Sequence, residues 1–275
     1  MVDSWGEHGE AGGHGLHGTD LTWTVNGVFD GVLALSGGSS TRLRMVDVAN
    51  GGYLELDWPG ARQIGGGQGL LAAPRPTPEV LVPGDRMELE LESFEPRESE
   101  GASAGQVDVL ARPRSPYGLS DAEPTRRLMS VSWDDGTPAA LDWAFTLAAP
   151  TPDPGYLDLV YSLQGDATTG TWSINGEVFP DITPYVVAQD SWQVVEVRNV
   201  SSSDHPFHLH GHALEVLSVD GVPPEYRTVV DTFNVPMASV VRLGLLADNP
   251  GEWMTHCHIL PHAKEGMMTI LEVSP

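Results

Sequence analysis

Seven of the ten histidines and the single cysteine of this 275-residue chain fall in two short stretches, HPFHLHGH (His205–His212) and HCHILPHAKEGMM (His256–Met268). On an extended strand, successive side chains leave opposite faces. His208 and His210 then share one face while His205 takes the other, and His256 and His258 leave the face opposite to Cys257. Two separate metal sites follow, joined by one short piece of backbone. The thiolate side offers Cys257, His205, His262 in a short turn five residues after the cysteine, and Met267 beyond Gly266. Two imidazoles, a soft thiolate and a weak axial thioether form the ligand set of a blue-copper electron-transfer centre. The other side offers His208, His210, His256 and His258, an imidazole-only cluster that suits Cu, Zn, Ni or Fe, with copper favoured by the neighbouring site.

The elements that must position these residues read as strands. The chain has 31 Gly and 22 Pro spread along its length. They punctuate short β-type runs such as Leu21–Val25, Arg42–Val48, Met87–Glu92, Trp192–Val197, Ala213–Val219 and Val240–Leu245, with almost no helix-period segment. An all-β protein of sandwiches or barrels is expected. TWTVNGVF (Thr22–Phe29) recurs as TWSINGEVF (Thr171–Phe179), with the two Asn-Gly pairs 149 residues apart. The register continues: Val46, Val48 and Asn50 precede Val195, Val197 and Asn199 by the same interval, and Pro83–Glu92 parallels Pro236–Leu246. A β-domain has been duplicated. The expected division is a His/Gly-rich lead-in at 1–18, a first domain at 19–120 and a second at 121–275, with the boundary near Gly118–Glu123. Pro96–Gly105 and Ala149–Gly155 read as exposed loops.

Composition excludes several functions. Against 38 Asp+Glu stand 14 Lys+Arg, of which only Lys264 is a lysine, and the net charge of -24 repels nucleic acid and anionic membranes. The longest apolar runs fall far short of the roughly 20 residues of a membrane span, and Met1–Glu10 has no leader pattern. One cysteine rules out an intrachain disulfide. The run Gly65–Gly69 lacks the strand, helix and basic residue of a nucleotide loop and reads as a β turn. Asn199-Val200-Ser201 is a glycosylation sequon by letter only, and Asp134, Asp135, Glu88, Glu90 and Glu92 read as solvated positions.

The two His-rich motifs, with DTFNVP…DNPGEWMTHCH (Asp231–His258) between them, resemble the C-terminal cupredoxin domain of the multicopper oxidases, the laccases and bacterial cuprous oxidases among them. TVNGVFDG, RLRMVDVAN, Gly65–Leu71 and LVPGDRMELE (Leu81–Glu90) are similar to the family's middle domain, which typically binds no copper. No His or Cys lies between Asp20 and Asp204, so this half reads as a structural spacer. The resemblance implies two Greek-key cupredoxin sandwiches, with His205, Cys257, His262 and Met267 as type 1 copper ligands, His208 as a type 2 ligand, and His210, His256 and His258 as type 3 ligands. His212 is expected to be structural.

The resemblance also implies the activity. One-electron donors, phenols or metal ions, would be oxidised at the type 1 copper, and electrons would pass through His256-Cys257-His258 to a trinuclear cluster that reduces O2 to water. The N-terminal domain that supplies the other half of that cluster has no counterpart here, and His8, His14 and His17 sit in a glycine-rich tail that replaces it poorly. The missing ligands are expected from a longer parent chain, a separate polypeptide or a neighbouring subunit, and the start at Met1 reads as a truncated gene. A second reading is an electron-transfer or copper-sequestering protein that uses the type 1 centre alone. A third, a catalytically silent relative, is disfavoured by the complete type 1 set. The family is usually periplasmic or extracellular.

Overall fold

The computed structural model describes residues 2–5, 22–36, 39–77, 80–91, 106–117, 124–134, 159–166 and 168–275. His8, His14 and His17, the two expected loops at 96–105 and 149–155, and the boundary segment 118–123 lie outside the described residues.

The first half contributes strands β1 (Val2–Trp5), β2 (Thr22–Val25), β3 (Gly31–Leu35), β4 (Arg42–Val46), β5 (Tyr53–Asp57) and β6 (Ala61–Gly66). It continues with β7 (Gly69–Pro76), β8 (Val80–Leu81), β9 (Arg86–Leu91), β10 (Gln106–Arg114) and β11 (Arg126–Trp133). The second half contributes β12 (Leu159–Asp166), β13 (Thr171–Ile174), β14 (Tyr185–Ala188), β15 (Trp192–Asn199), β16 (His205–Leu209) and β17 (Leu214–Val219). There follow β18 (Val229–Val230), β19 (Thr232–Val235), β20 (Val240–Leu246), β21 (Gly251–Cys257), helix α1 (Leu260–Lys264) and β22 (Met268–Ser274). No helix among the described residues is long and apolar enough to cross a membrane.

These strands form two β-sandwich domains. In the first, a sheet ordered β4-β9-β6-β7 faces one ordered β3-β11-β10-β5-β8, and β1 pairs with β2 alongside. In the second, β13-β12-β15-β20-β17-β18 faces β14-β22-β21-β16-β19. The alternation that predicted strands is visible in their burial: Leu159, Tyr161 and Leu163 of β12 and Thr269, Leu271 and Val273 of β22 point inward, and their neighbours do not. The first core is built on Leu54, Leu81, Met87, Leu89, Val109 and Val131. The second is built on Tyr161, Trp172, Phe207, Leu214 and Leu243, and it takes in Tyr53 and Val82 from the first half, so the domains share packed surface.

The sequence repeat is a structural repeat. Both Asn-Gly pairs have left-handed backbone at both residues, Asn26 and Gly27 at φ 54° and 77°, Asn175 and Gly176 at φ 57° and 78°. That is the conformation of a two-residue hairpin turn for which Asn-Gly is the favoured pair. Val25 and Val28 exchange backbone hydrogen bonds across the first turn, and Ile174 and Glu177 do the same across the second. Downstream, β4 pairs antiparallel with β9 as β15 does with β20.

Four expectations need correction. The first sandwich runs past the expected boundary, because β11 (Arg126–Trp133) pairs with β10 and β3 in its sheet. His262 lies in the five-residue helix α1 rather than in a turn, because Pro261 fixes a helical φ at its start and Ala263 N–H bonds back to Ile259 O. Glu90 is fully buried, not solvated, with Arg62 Nη2 donating to it at 2.6 Å. His210 and His258 stand one residue beyond the ends of β16 and β21, although both keep the face assigned by alternation. Asn199 is buried, its amide donating to Ser203 O and Val235 O, in keeping with a sequon by letter only.

Candidate metal centres

Strands β16 and β21 are neighbours, with Phe207 opposite Cys257 and His208 opposite His256. That register turns the two sequence motifs into two clusters on opposite faces of one sheet. On the core side, His205 Nδ1, Cys257 Sγ and His262 Nδ1 form a triangle with edges of 3.4, 3.7 and 3.2 Å. The point equidistant from its corners lies about 2 Å from each, the length of a metal–nitrogen or short metal–thiolate bond. All three side chains are buried, as is Met267. Met267 closes the loop by accepting from Cys257 N–H at 3.2 Å and donating its own N–H to His262 O at 3.0 Å.

The outer ring atoms explain why the inner ones converge. His205 Nε2 lies 2.6 Å from Ser201 Oγ, and His262 Nε2 lies 3.0 Å from Tyr117 Oη. Each hydroxyl can accept the Nε2 proton, which leaves the Nδ1 lone pair aimed at the sulfur. Trp172 stacks on His262 with ring centroids 3.7 Å apart and meets His205 edge-on. Behind them, Gly266 at φ 109° passes so close to Val178 that a Cβ there would sit 2.3 Å from its methyl carbon, so only glycine fits. The second copy of the repeat thus forms the floor of the centre.

Burial governs the protonation of this group. It pushes the Cys257 thiol well up, against a smaller opposing effect from Ile259 N–H, and it drives His205 well below its usual range with help from His262. The imidazole is therefore neutral with its lone pair available, and a soft cation that binds here displaces the thiol proton. The donor set and spacing fit a type 1 copper.

The opposite face gathers His208, His210 and His256, whose nitrogens lie within 4.8 Å of one another. His210 Nε2 and His256 Nε2 face each other at 3.1 Å. His256 Nδ1 donates to Cys257 O at 2.7 Å, and His208 Nδ1 lies 2.9 Å from both Asp231 O and Thr232 Oγ1. In both rings Nδ1 carries the proton and Nε2 is left for a ligand. His258 adjoins the cluster, its ring 5.6 Å from that of His208, and its buried Nδ1 has no hydrogen-bond partner among the described residues. Burial lowers His208 to about 3 and His256 to about 4, and lowers His258 as well, with the neighbouring imidazoles adding to each. His212 is not drawn into the cluster: it is buried, with Nδ1 3.3 Å from His210 O and its ring edge-on to Trp253.

The comparison with known proteins agrees with this geometry. Residues 152–275 match the family described as multicopper oxidase. The multicopper oxidase MmcO of Mycobacterium tuberculosis is 33% identical over 172 residues, covering 62% of this chain and 33% of that protein. Over these stretches the chain is similar to the multicopper oxidases. It thus spans about a third of the length of that relative. Among solved structures, the Campylobacter jejuni multicopper oxidase, described as a metallo-oxidase, matches 92% of this chain and 57% of its own with a TM-score of 0.73 at 23% identity, a likeness of fold. The multicopper oxidase of Pseudomonas thermotolerans matches 92% of this chain and 59% of its own, with a TM-score of 0.66 at 26% identity.

Sequence reasoning missed the residues around the ligands. Tyr117 carries no signal in the sequence, Ser201 enters only as part of a sequon, and Arg86, Gln68 and Gly84, in a half read as a spacer, reach the four-histidine face. Their signal in the sequence is faint: a polar Gln in a glycine turn and an Arg after Pro-Gly-Asp carry no metal-ligand spacing.

Proposed function

We propose that this chain is the electron-accepting and electron-relaying part of a copper oxidase that takes single electrons from a phenolic or metal-ion donor and delivers them to O2, forming water. The observation that carries the reading is the buried His205–Cys257–His262 triangle backed directly by the His208, His210 and His256 cluster. In this reading His205, Cys257, His262 and Met267 hold a type 1 copper, His208 a type 2 copper, and His210, His256 and His258 the type 3 pair. Copper supplies the one-electron chemistry in both places.

The chain's own residues account for the rest. Trp172, Ser201 and Tyr117 fix the two core imidazoles and keep bulk water from the sulfur. Cys257 is bonded through one peptide unit to each of His256 and His258, and His256 Nδ1 donates to Cys257 O, which links its ring to the Cys257–His258 peptide as well. This short path joins the two faces without crossing solvent.

The four-histidine face supplies half of a trinuclear set, and exposed His210 marks its open side. The remaining ligands come from an N-terminal cupredoxin domain of a longer parent chain, from a separate polypeptide or from a neighbouring subunit, and the resemblance to exported oxidases supports a periplasmic or extracellular setting. A second reading, a copper-binding electron-transfer or copper-sequestering protein, is favoured by one observation: the triangle is closed within this chain and the other cluster is not. Copper stoichiometry after anaerobic reconstitution, with visible absorption, electron paramagnetic resonance and oxygen uptake, separates the two. About one tightly held blue copper per chain, with no oxygen uptake even when an N-terminal cupredoxin domain is added, supports the second reading. Oxygen uptake restored by adding the N-terminal partner supports the first.

A further inference from the structure

We infer that the first domain positions the four-histidine site, through a polar chain that runs from Arg86 and Gln68 to Asp231, Thr232 and His208. The inference rests on the reading of His208 as a copper ligand. Arg86 Nη2 donates to Asp231 Oδ2, and Gln68 Nε2 donates to the same oxygen at 2.7 Å. Asp231 is buried, and these two donors from the other domain hold its carboxylate in place. The Thr232 hydroxyl donates to Asp231 Oδ1 at 3.0 Å, which commits its proton and leaves its oxygen as an acceptor. His208 Nδ1 lies 2.9 Å from that oxygen and 2.9 Å from Asp231 O. Each donor in the series fixes the next, and the last one presents His208 Nε2 to the cluster.

Two further contacts come from the same part of the first domain. Gly84 at φ 82° lies against the His258 ring so closely that a Cβ would sit 2.5 Å from its Cδ2. Arg86, two residues on, also donates to Gly67 O at 3.4 Å, which draws the β6–β7 hairpin turn toward the same carboxylate. The turn before β9 and the first residue of β9 thus reach two of the four histidines, one by packing and one through Asp231. The type 1 triangle receives none of these three residues. Arg86, Gln68 and Gly84 are accordingly positioning residues for one site and not for the other.

The test uses the full chain with Arg86→Gln and, as the milder change, Gln68→Ala, each titrated with Cu(II) alone. The blue absorption reports the type 1 site and the non-blue paramagnetic signal the histidine cluster. In parallel, ring 15N shifts of the metal-free protein report which nitrogen of His208 carries its proton. The expected result is an affinity loss of about 10-fold at the non-blue site, an unchanged blue band, and a His208 ring that leaves its single Nδ1–H form. Unchanged affinity and unchanged His208 nitrogens in both variants overturn the inference. Parallel loss of both copper signals also overturns it, because the interface then serves folding alone. If the parent chain binds no copper at the cluster, the assignment of the site fails, and the 15N shifts still decide whether the polar chain orients His208.

Discussion

The two faces of the β16–β21 pair differ in closure. The thiolate face is dry, with every donor buried and each imidazole held from behind by a residue of this chain. The imidazole face runs from buried His256 to exposed His210, although both faces take a contact from the first domain, Tyr117 to His262 on one and Arg86 to Asp231 on the other. A site whose donors are all buried within this chain can be complete before any partner arrives, whereas a site with an exposed ligand depends on what is packed against it. The same three residues, His256-Cys257-His258, serve both.

The contrast can be broken most severely at the sulfur. Cys257→Ser should abolish the intense visible band while the non-blue copper signal persists, as read by absorption and paramagnetic resonance, because the two clusters share backbone and not donors. If both signals vanish, the faces are not separable. Next in size, His210→Ala should weaken copper at the imidazole cluster by at least about 10-fold and leave the blue band in place, as measured by equilibrium dialysis. Met267→Leu should then raise the reduction potential of the blue centre in a redox titration, since loss of the axial sulfur disfavours the oxidised metal. An unchanged potential would remove Met267 from the ligand set.

Acid sharpens the contrast in the metal-free protein. His208 and His256 sit at about 3 and 4, below the ordinary value of 6.5, so the unfolded chain binds more protons between those limits. Stability should therefore fall as pH drops from about 6.5 toward 3, seen as a declining urea midpoint, and His208→Gln should flatten the decline. The smallest effect concerns Asp85, which desolvation raises to about 7 against the pull of Arg86 N–H and of the charges on Arg86 and Arg75. Its folded form holds a proton that the unfolded form releases, so stability should drop as pH rises from about 4 to 7. Asp85→Asn should remove that drop, by about 1 kcal/mol or more above pH 7, in the same urea series.

Much of this was legible from residue order because it depends on local periodicity. Alternation on β16 and β21 separates His205 and Cys257 from His208, His210 and His256, and the structure places them so. The Asn-Gly turns announce the duplication because two consecutive left-handed residues admit few sequences. The supporting contacts were not legible, for they join residues far apart in the chain: Tyr117 and His262 are 145 positions apart, as are Arg86 and Asp231. Trp172 shows the limit within one motif. Its partner in the repeat, Trp23, packs over Gly52, where a Cβ would come within 2.4 Å of the ring, while Trp172 stacks on His262. The same letter in the same register does different work because the opposite wall has changed.

The shared tripeptide also restricts how this gene can vary in length. Insertion or loss of a single residue between Phe207 and His210, or between His256 and His258, would exchange inward and outward positions. An imidazole would then enter the dry core and a thiol the open face. Point substitutions damage one site at a time, but a one-codon indel here disables both. Length variation among descendants of this chain should therefore concentrate in the hairpin turns and avoid these two stretches altogether.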